Sequence, residues 1–266
     1  MRSSLPIAPA EELAQLQEKL LLVVPTYNER ANLEELAERV FSVAPRCHLL
    51  VVDDDSPDGT AELCIELQRR FPKLLLLRRT GVRGLGRAYV AGLTQGLESG
   101  FDLLGTMDAD LSHDPGHLPV MLTLARTNDV VIGSRYIRDG GTINWRIRRI
   151  LLSWLANRFA ARLLRMPVHD VTSGYRLYRA RALATVGLGQ ISSTGYSFLV
   201  ELLYRLYRQG SAISEAPIVF YDRTLGESKL ATREIYVGAV RLLRLRLSPA
   251  SSERRNPTRA ATASRK

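Results

Sequence analysis

Apolar runs of strand length alternate with longer segments of helical period, and this alternation constrains the fold more than any other feature of the chain. The pattern is typical of βαβ units, in which parallel strands form a sheet covered by helices on both faces. Strands are predicted at Leu20–Val24, His48–Val52, Leu74–Leu77, Leu103–Met107 and Val130–Ile132. Helices are predicted at roughly 33–43, 59–70, 84–98 and 115–127. The predicted class is therefore α/β, with a mostly parallel central sheet flanked by helices.

The chain is predicted to form one domain at residues 1–247 and a basic, disordered tail at 248–266. A length of 266 residues is close to the upper limit for one compact α/β domain, and no Gly- or Pro-rich linker divides the first 240 residues. From Ser248 onward the composition shifts to Ser, Arg, Pro, Thr and Ala, which leaves little to bury and favours disorder.

Two helix starts are predicted from their capping residues. Asn32, with Glu35 three residues later, fits the N-cap of the first helix. Asp114 before Pro115 fits an N-cap followed by a proline in the first turn.

Short polar segments follow the first, second and fourth predicted strands. They are Pro25–Glu29, Asp53–Gly59 and Asp108–Asp110. Ligands of open parallel sheets bind beyond the carboxyl ends of the strands, so these segments are predicted to converge in an acidic rim. Asp and Gly also form turns and cap helices, and any one loop alone could be structural. Carboxylates packed together repel one another, however, unless a cation or hydrogen-bond donors use them.

Asp108-Ala109-Asp110 is the segment that best fits a metal ion. Two carboxylates on an irregular loop can bind a hard divalent ion together with diphosphate oxygens and water. Mg²⁺ or Mn²⁺ is therefore the predicted cofactor. An ion so placed would act as a Lewis acid on a departing nucleotide diphosphate.

Basic residues accumulate in the second half of the chain. They include Arg135 within Gly133–Tyr136, the cluster Arg146, Arg148 and Arg149, and Arg223 with Lys229. Arginine presents a planar fork of donors that suits phosphate oxygens, although any one of these residues could instead be a solvated surface charge. The net charge of +10 points to phosphate-bearing partners or an anionic membrane surface.

The segment Gly140–His169 contains no acidic residue. Its arginines and large apolar residues are Arg146, Arg148, Arg149, Arg158, Arg162 and Arg165, among Trp145, Ile150, Leu151, Leu152 and Trp154. This combination suits a helix lying on an anionic membrane, but the amphipathic pattern is imperfect and an ordinary packed helix is the alternative. No segment reaches the roughly 18 uncharged apolar residues that span a bilayer, so we expect the chain at most to lie on a membrane.

Other function classes lack their motifs. Gly81, Gly84 and Gly86 do not have the spacing of a dinucleotide-binding fingerprint, and neither a P-loop nor a nucleophile elbow occurs. The basic tail has no aromatic platform or reader motif beside it, so no nucleic-acid partner is predicted. His113 and His117 are four residues apart, but the Pro and Gly between them disfavour a helical zinc pair.

Six motifs resemble, in this order, those of the dolichol-phosphate mannose synthases, also called polyprenol monophosphomannose synthases, of glycosyltransferase family 2. They are Val23–Arg30, Val51–Gly59, Met107–His113, Gly133–Tyr136, Thr172–Arg176 and Gly226–Leu230. The resemblance covers roughly Leu20 to Leu245. An Asp-x-Asp occurs in many glycosyltransferases, whereas the Asp-Asp-Ser-Pro-Asp-Gly and Ser-Lys-Leu elements are far more particular to this group.

The resemblance implies a GT-A, Rossmann-like fold and transfer of mannose from GDP-mannose to a polyprenyl phosphate, with inversion of the anomeric centre. The residues it implies for guanosine are Pro25, Tyr27, Glu29, Val52 and Asp54; for the metal and the sugar diphosphate, Asp108, Ala109 and Asp110; for phosphates, Arg135, Arg149, Arg223 and Lys229. The predicted catalytic residues are Asp110, Asp108 and Arg135, and Asp110 is expected to be indispensable. Some members have Gln where Ser112 stands, so Ser112 is expected to reach the metal through water.

Many members also carry C-terminal membrane helices, whereas this chain has a polar, Arg-rich tail. We therefore expect a peripheral protein on the cytoplasmic face of a membrane, bound through residues 145–164 or through a membrane-anchoring protein partner. A glucosyl- or other hexosyltransferase that acts on a polyprenyl phosphate or a polysaccharide is the alternative enzyme, because the pocket details that choose sugar and base are not visible in the sequence. A basic nucleic-acid-binding protein is the alternative outside the enzymes.

Overall fold

The computed structural model describes residues 18–191, 195, 197–222 and 246. The strands are β1 (Leu20–Thr26), β2 (His48–Asp53), β3 (Leu74–Arg78), β4 (Leu103–Thr106), β5 (Val130–Ser134), β6 (Gly141–Ile143), β7 (Arg176–Arg179), β8 (Ile213–Pro217) and β9 (Val219–Tyr221). The helices are α1 (Arg30–Val43), α2 (Thr60–Leu67), α3 (Leu85–Glu98), α4 (Leu118–Ala125), α5 (Ile147–Leu164), α6 (Ala180–Leu183) and α7 (Ser197–Arg208), with 3-10 turns at Pro115–His117 and Leu188–Gln190. The predicted tail and the predicted site residues Arg223 and Lys229 lie outside the described residues.

In the described part of the chain, seven strands form one sheet in the order β3-β2-β1-β4-β7-β5-β8, and β6 pairs with β9. β1 is parallel to β2 and β4, β2 to β3, and β5 to β8. Among the described strands of this sheet, only β7 runs antiparallel to its neighbours, β4 and β5. The five predicted strands are confirmed apart from small differences at their ends, and so is the mostly parallel sheet.

The antiparallel strand β7 is absent from the sequence prediction. It has four residues and both its ends are arginines. Arg176 is fully buried, and its guanidinium donates to the main-chain oxygens of Leu199 and Val171 at 2.6 Å each. Because backbone carbonyls outside the strand stabilise this buried charge, no pattern of apolar residues within the strand indicates it.

The first helix begins earlier than predicted. Glu29, not Asn32, is the N-cap residue of α1, so the predicted cap at Asn32 is wrong. The chain turns at Asn28, which has a φ of 61°, and the amide of Asn32 instead donates to Glu29 Oε2 at 2.8 Å. The second predicted cap is confirmed: Asp114 accepts from the main-chain nitrogen of Gly116 at 2.8 Å, and Pro115 opens the 3-10 turn that leads into α4.

The core has two apolar layers, one on each face of the sheet. Alternate residues of a strand point to opposite faces. In β1, Leu21 and Val23 pack in the layer that contains α3 and α7, whereas Leu22 and Val24 pack in the layer that contains α1 and α4. Both faces are therefore covered, as in other parallel sheets with helical crossovers.

Gly92 allows α3 to approach the sheet closely. A Cβ built at Gly92 would lie 2.4 Å from Val23 Cγ1 and 3.0 Å from Val52 Cγ2, in the middle of the core. We expect Gly92→Ala to lower the free energy of unfolding by about 1–3 kcal/mol through overpacking. Urea denaturation measures this effect. Gly189→Ala is the matched control, because no atom of the described residues lies within 4 Å of an added Cβ there. Equal destabilisation of both variants would contradict the explanation.

Candidate active site

The candidate site lies where the order of the strands reverses. β2 and β3 lie on one side of β1, and β4 lies on the other. Ligands of open α/β sheets bind at such a switch point, beyond the carboxyl ends of the strands. Asp54 N donates to Thr26 O at 3.1 Å and Met107 N donates to Val23 O at 3.2 Å, so the loops after β1, β2 and β4 begin side by side. The predicted convergence of these loops is confirmed.

Two aspartates of the loop after β2 support the backbone. The buried carboxylate of Asp53 accepts hydrogen bonds from Thr26 Oγ1 at 3.0 Å and from the main-chain nitrogen of Ser56 at 2.9 Å. Asp58 accepts from the main-chain nitrogen of Thr60 at 3.0 Å, at the start of α2. For these two residues the structural alternative is correct, because turn and cap donors already use their oxygens.

Two arginines that follow β3 contact side chains of the loops after β1 and β2. Asp54 is buried, forms an ion pair with Arg79, and accepts from the main-chain nitrogen of Gly84 at 2.8 Å. Arg83 lies over the ring of Tyr27, 4.4 Å from its centroid, and donates to the tyrosine hydroxyl at 2.6 Å. Residues 79–84 thus contact two of the side chains predicted to hold guanosine. Arg79 and Arg83 were not among the predicted site residues.

The remaining residues predicted to hold guanosine are placed differently. Pro25 lies at the carboxyl end of β1. Glu29 is the N-cap of α1, and its main-chain nitrogen donates to Thr60 Oγ1 at 3.2 Å. Val52 is fully buried in the layer between the sheet and α3. Its side chain packs in the core and does not line the rim, so any contact of Val52 with a nucleoside is left to its main chain.

Asp108 lies directly after β4 and is 18 % exposed at its side chain. Its Oδ1 accepts a hydrogen bond from the hydroxyl of Tyr89, which is on α3, at 2.9 Å. Its main-chain nitrogen donates to Nδ1 of His113 at 3.2 Å, and Oδ2 is 3.8 Å from the same ring nitrogen. Tyr89 was not among the predicted site residues.

His113 supports the loop as a neutral ring. Nδ1 accepts from Asp108 N, so the ring proton is on Nε2. Burial lowers the pKa of His113, and this effect outweighs the nearby carboxylates of Asp108 and Asp110. His117, four residues further along the chain, accepts at Nε2 from the main-chain nitrogen of Val219 at 3.1 Å. Both histidines therefore have structural partners in the loop and in β9.

Asp110 and Ser112 lie further along the same loop. Asp110 is buried, and its Oδ1 accepts from the main-chain nitrogen of Ser112 at 3.1 Å. Leu111 between them has a φ of 60°, which reverses the chain. The hydroxyl of Ser112 is buried and has no hydrogen-bond partner among the described residues. A buried hydroxyl of this kind calls for a ligand or a water molecule.

These residues fit a divalent cation that takes most of its ligands from elsewhere. The described residues contain no group of three or more His, Cys, Asp or Glu side chains that could hold an ion. Asp108 and Asp110 offer carboxylate oxygens, and Ser112, whose main-chain nitrogen donates to Asp110, adds a buried hydroxyl on the same loop. Mg²⁺ is typically bound through one or two carboxylates plus substrate phosphates and water. The oxygen donors of this loop are of that kind.

Arg135 is held in place by Asp170, which was not among the predicted site residues. The fully buried Asp170 accepts from Arg135 Nε at 2.7 Å and from Nη2 at 2.8 Å, and Nη2 also donates to Thr172 Oγ1 at 2.8 Å. Burial alone would lower the pKa of Arg135, but Asp170 raises it above its usual value. Arg135 is therefore a fixed, buried cation, and part of its donor fork is already used.

Arg149 lies at the same end of the sheet. Its guanidinium stacks on Trp145, 3.9 Å from the ring centroid, and Nη1 is 2.7 Å from an oxygen of Asp222. The strand that ends just before Asp222 meets the metal loop, because Tyr221 N donates to Ser112 O at 3.1 Å. Arg149 is thus linked to the Asp-x-Asp loop through Asp222 and Tyr221.

Residues 21–187 match the sequence model of the family described as Glycosyl transferase family 2. The chain belongs to this family. It is 43% identical over 213 residues to the undecaprenyl-phosphate mannosyltransferase of Micrococcus luteus, covering 80% of this chain and 88% of that one. It is 42% identical over 220 residues to the polyprenol monophosphomannose synthase of Mycolicibacterium smegmatis, covering 82% and 83%. The predicted family is confirmed.

The fold of this family 2 glycosyltransferase is GT-A-like. A solved structure of glucosyl-3-phosphoglycerate synthase from Mycobacterium tuberculosis, in complex with Mn²⁺, UDP and phosphoglyceric acid, superposes with a TM-score of 0.65 at 19% identity. The match covers 94% of this chain and 86% of that one. At this identity the likeness concerns the fold, and it confirms the predicted architecture.

The outer face of α5 in this family 2 glycosyltransferase is apolar and basic. Its exposed large residues are Ile147, Leu151, Leu152, Trp154, Leu155 and Phe159. The opposite face packs on the protein through Asn157, which accepts from the main-chain nitrogen of Val171 at 2.9 Å. Among the described helices none is long and apolar enough to cross a bilayer.

Proposed function

We propose that this family 2 glycosyltransferase transfers mannose from GDP-mannose to a polyprenyl phosphate with inversion at the anomeric carbon. The observation that carries the proposal is the position of the loop with Asp108 and Asp110, at the strand switch point and beside the cations Arg135 and Arg149. The names of the two relatives support this choice of substrates. One is an undecaprenyl-phosphate mannosyltransferase and the other is a polyprenol monophosphomannose synthase.

The carboxylate of Asp54 favours guanine over uracil in the donor. A carboxylate accepts hydrogen bonds only, and guanine presents two adjacent N–H donors on one edge, whereas uracil presents one. Asp54 is buried beside β1, and Tyr27 is 37% exposed at the same rim. Each Asp54 oxygen has a second lone pair besides the one used by Arg79 or Gly84 N. Pro25 and Glu29 complete the proposed guanosine site.

The diphosphate of the donor would lie against the Asp-x-Asp loop. Asp108 and Asp110, with Ser112 directly or through water, would hold Mg²⁺ or Mn²⁺ there. When bound, such an ion neutralises the negative charge that develops on the leaving GDP. The main chain around Ala109 and Leu111 fixes both carboxylates on one short loop, so that they need little rearrangement when the donor binds.

The acceptor needs no general base from the protein. A phosphate monoester has a second pKa of about 6, so it is already largely ionised at neutral pH. Its oxygen forms a bond to C1 of mannose while the bond from C1 to the diphosphate oxygen breaks and GDP leaves with the electron pair. Arg149, and the predicted cations Arg223 and Lys229, would orient the acceptor phosphate, while the buried Arg135 adds a fixed positive charge.

A transfer assay tests the substrates. The enzyme is incubated with a polyprenyl phosphate and either GDP-mannose or UDP-glucose carrying a radiolabel, with and without a chelator. We expect labelled lipid from GDP-mannose alone, and its loss with the chelator. Incorporation from UDP-glucose alone would contradict the proposed donor and favour the alternative hexosyltransferase.

We also propose that α5 attaches the protein to an anionic membrane surface, on the cytoplasmic face. A groove of about 600 Å³ on α5 is lined by Trp154, Leu155, Arg158, Phe159, Arg162, Leu163, Arg165 and Arg246. It contains apolar side chains and arginines and no acid, which is the chemistry of a helix at a negatively charged lipid surface. The cytoplasmic leaflet carries the anionic lipids that attract such a basic surface.

We expect Leu151→Glu to weaken binding to vesicles that contain phosphatidylglycerol by about tenfold, because it places a charge among exposed apolar residues. Vesicle co-sedimentation measures the effect. Ile65→Glu is the matched control, because Ile65 and Leu151 are each 55% exposed and Ile65 is on α2. Vesicle binding unchanged in Leu151→Glu would exclude the α5 face and leave a membrane-anchoring protein partner as the alternative.

A further inference from the structure

We infer that Tyr89 and Gly174 are positioning residues for Asp108, holding one oxygen of its carboxylate so that the other is presented to the divalent cation. This inference rests on the proposed function, because it assumes that Asp108 binds the ion. Both residues come from parts of the chain far from the Asp-x-Asp loop in sequence, Tyr89 from α3 and Gly174 from the loop before β7.

The tyrosine is rigidly placed. Its ring is fully buried and stacks on Phe198, with the centroids 6.0 Å apart. Its hydroxyl donates to Asp108 Oδ1 at 2.9 Å. Two other fully buried tyrosines, Tyr175 and Tyr178, have hydroxyls with no hydrogen-bond partner among the described residues. Burial in this core therefore does not by itself give a tyrosine hydroxyl a partner, and the bond to Asp108 is a particular feature of Tyr89.

Gly174 packs against the same oxygen, Asp108 Oδ1. A Cβ built at Gly174 would lie 3.2 Å from Asp108 Oδ1 and 3.4 Å from the Tyr89 hydroxyl. The position of Gly174 is fixed by Thr106, whose hydroxyl donates to the Gly174 carbonyl at 2.7 Å. A side chain at position 174 would therefore press on the hydrogen bond between Tyr89 and Asp108.

The second carboxylate oxygen of Asp108, Oδ2, has different neighbours from Oδ1. His113 Nδ1 is 3.8 Å from Oδ2, but it already accepts the hydrogen bond from Asp108 N and cannot donate to the carboxylate. No donor among the described residues is within hydrogen-bond distance of Oδ2. With Oδ1 enclosed by Tyr89 and Gly174, Oδ2 is the oxygen suited to an ion. Hydrogen bonds to metal-binding carboxylates orient them, and loss of such a partner commonly weakens metal binding by about 10–100-fold.

The test measures Mn²⁺ binding to the full-length protein in the presence of saturating GDP, from the electron paramagnetic resonance signal of free Mn²⁺. We expect Tyr89→Phe to raise the Kd for Mn²⁺ about tenfold, while its affinity for GDP without metal and its Tm stay close to those of the wild type. Tyr178→Phe is the matched control, because it removes a buried hydroxyl that bonds nothing among the described residues. Unchanged Mn²⁺ affinity in Tyr89→Phe, or an equal loss in Tyr178→Phe, would overturn the inference.

A second variant covers the case in which Tyr89→Phe does not fold. Gly174→Ala is also expected to weaken Mn²⁺ binding. Gly189→Ala is expected to leave it unchanged, because no described residue lies within 4 Å of an added Cβ at that position. If the wild type binds Mn²⁺ with GDP and neither Tyr89→Phe nor Gly174→Ala weakens it, only this inference fails. If the wild type binds no Mn²⁺ with GDP, the proposed metal site itself fails, and the inference with it.

Discussion

Replacing Asp110 by Ala is expected to reduce mannose transfer by about a thousandfold or more, and Asp108→Ala is expected to do the same. Both carboxylates lie on the loop at the strand switch point, and no third acidic, histidine or cysteine side chain completes an ion site among the described residues. The loss of either carboxylate therefore removes a large part of the ligands that the protein supplies to the ion. Initial rates with GDP-mannose and a polyprenyl phosphate measure the effect.

Asp102→Asn is the matched control. Asp102 precedes β4 at its amino end, opposite the end that carries the Asp-x-Asp loop, and it accepts from Lys19 N at 2.8 Å. It should keep most of the activity. Thermal unfolding of all three variants should remain cooperative. Near-normal transfer by Asp110→Ala would contradict the role of the loop, and tight, salt-sensitive nucleic-acid binding that survives both loop variants would favour the alternative outside the enzymes.

Breaking the buried pair between Asp170 and Arg135 is the second change with a large expected effect. In Asp170→Asn the guanidinium of Arg135 stays buried without its counter-charge, which typically costs about 3–5 kcal/mol. We expect a marked drop in Tm and a large loss of transfer, since Arg135 would no longer be held in place. Glu34→Gln, which removes an exposed partner of Arg70, should change the Tm little.

The same pair predicts a dependence on pH. Burial alone would raise the pKa of Asp170, but Arg135 and the hydrogen bonds to the carboxylate outweigh it and hold the pKa below its usual value. A group with a depressed pKa in the folded state stabilises the fold above its unfolded-state pKa, which is about 4, and this contribution is lost as the pH falls through the lower folded-state value. Part of the acid-side decrease in stability should therefore be missing in Asp170→Asn. An unchanged acid-side slope in that variant would show that other carboxylates account for it.

The sequence was sufficient for the features that depend on local pattern. The five parallel strands are continuous apolar runs, and the polar residues after them mark the carboxyl ends where a ligand site is expected. Asp114 and Pro115 cap a helix by contacts within the same turn, and that prediction is confirmed. The motif order identified the family because several short motifs coincide, each of which is weak alone.

Features that depend on distant contacts could not be predicted in this way. Tyr89 meets Asp108 across 19 positions and Arg135 meets Asp170 across 35, and neither pair has a spacing rule. The last residue of β2 and the loop after it include four aspartates that look alike in sequence. Asp53 and Asp58 nevertheless serve the backbone, whereas Asp54 is held by Arg79. Only the fold shows which acids are already used by the chain's own donors and which face the crevice.

The most direct test of the central claim is a crystal of the protein soaked with GDP and Mn²⁺, with diffraction data collected for the anomalous signal of manganese. An anomalous peak between the carboxylates of Asp108 and Asp110, in contact with the diphosphate of GDP lying at the end of β1, is the predicted result. A bound nucleotide with no manganese peak at these two side chains, or a peak elsewhere in the protein, would contradict it.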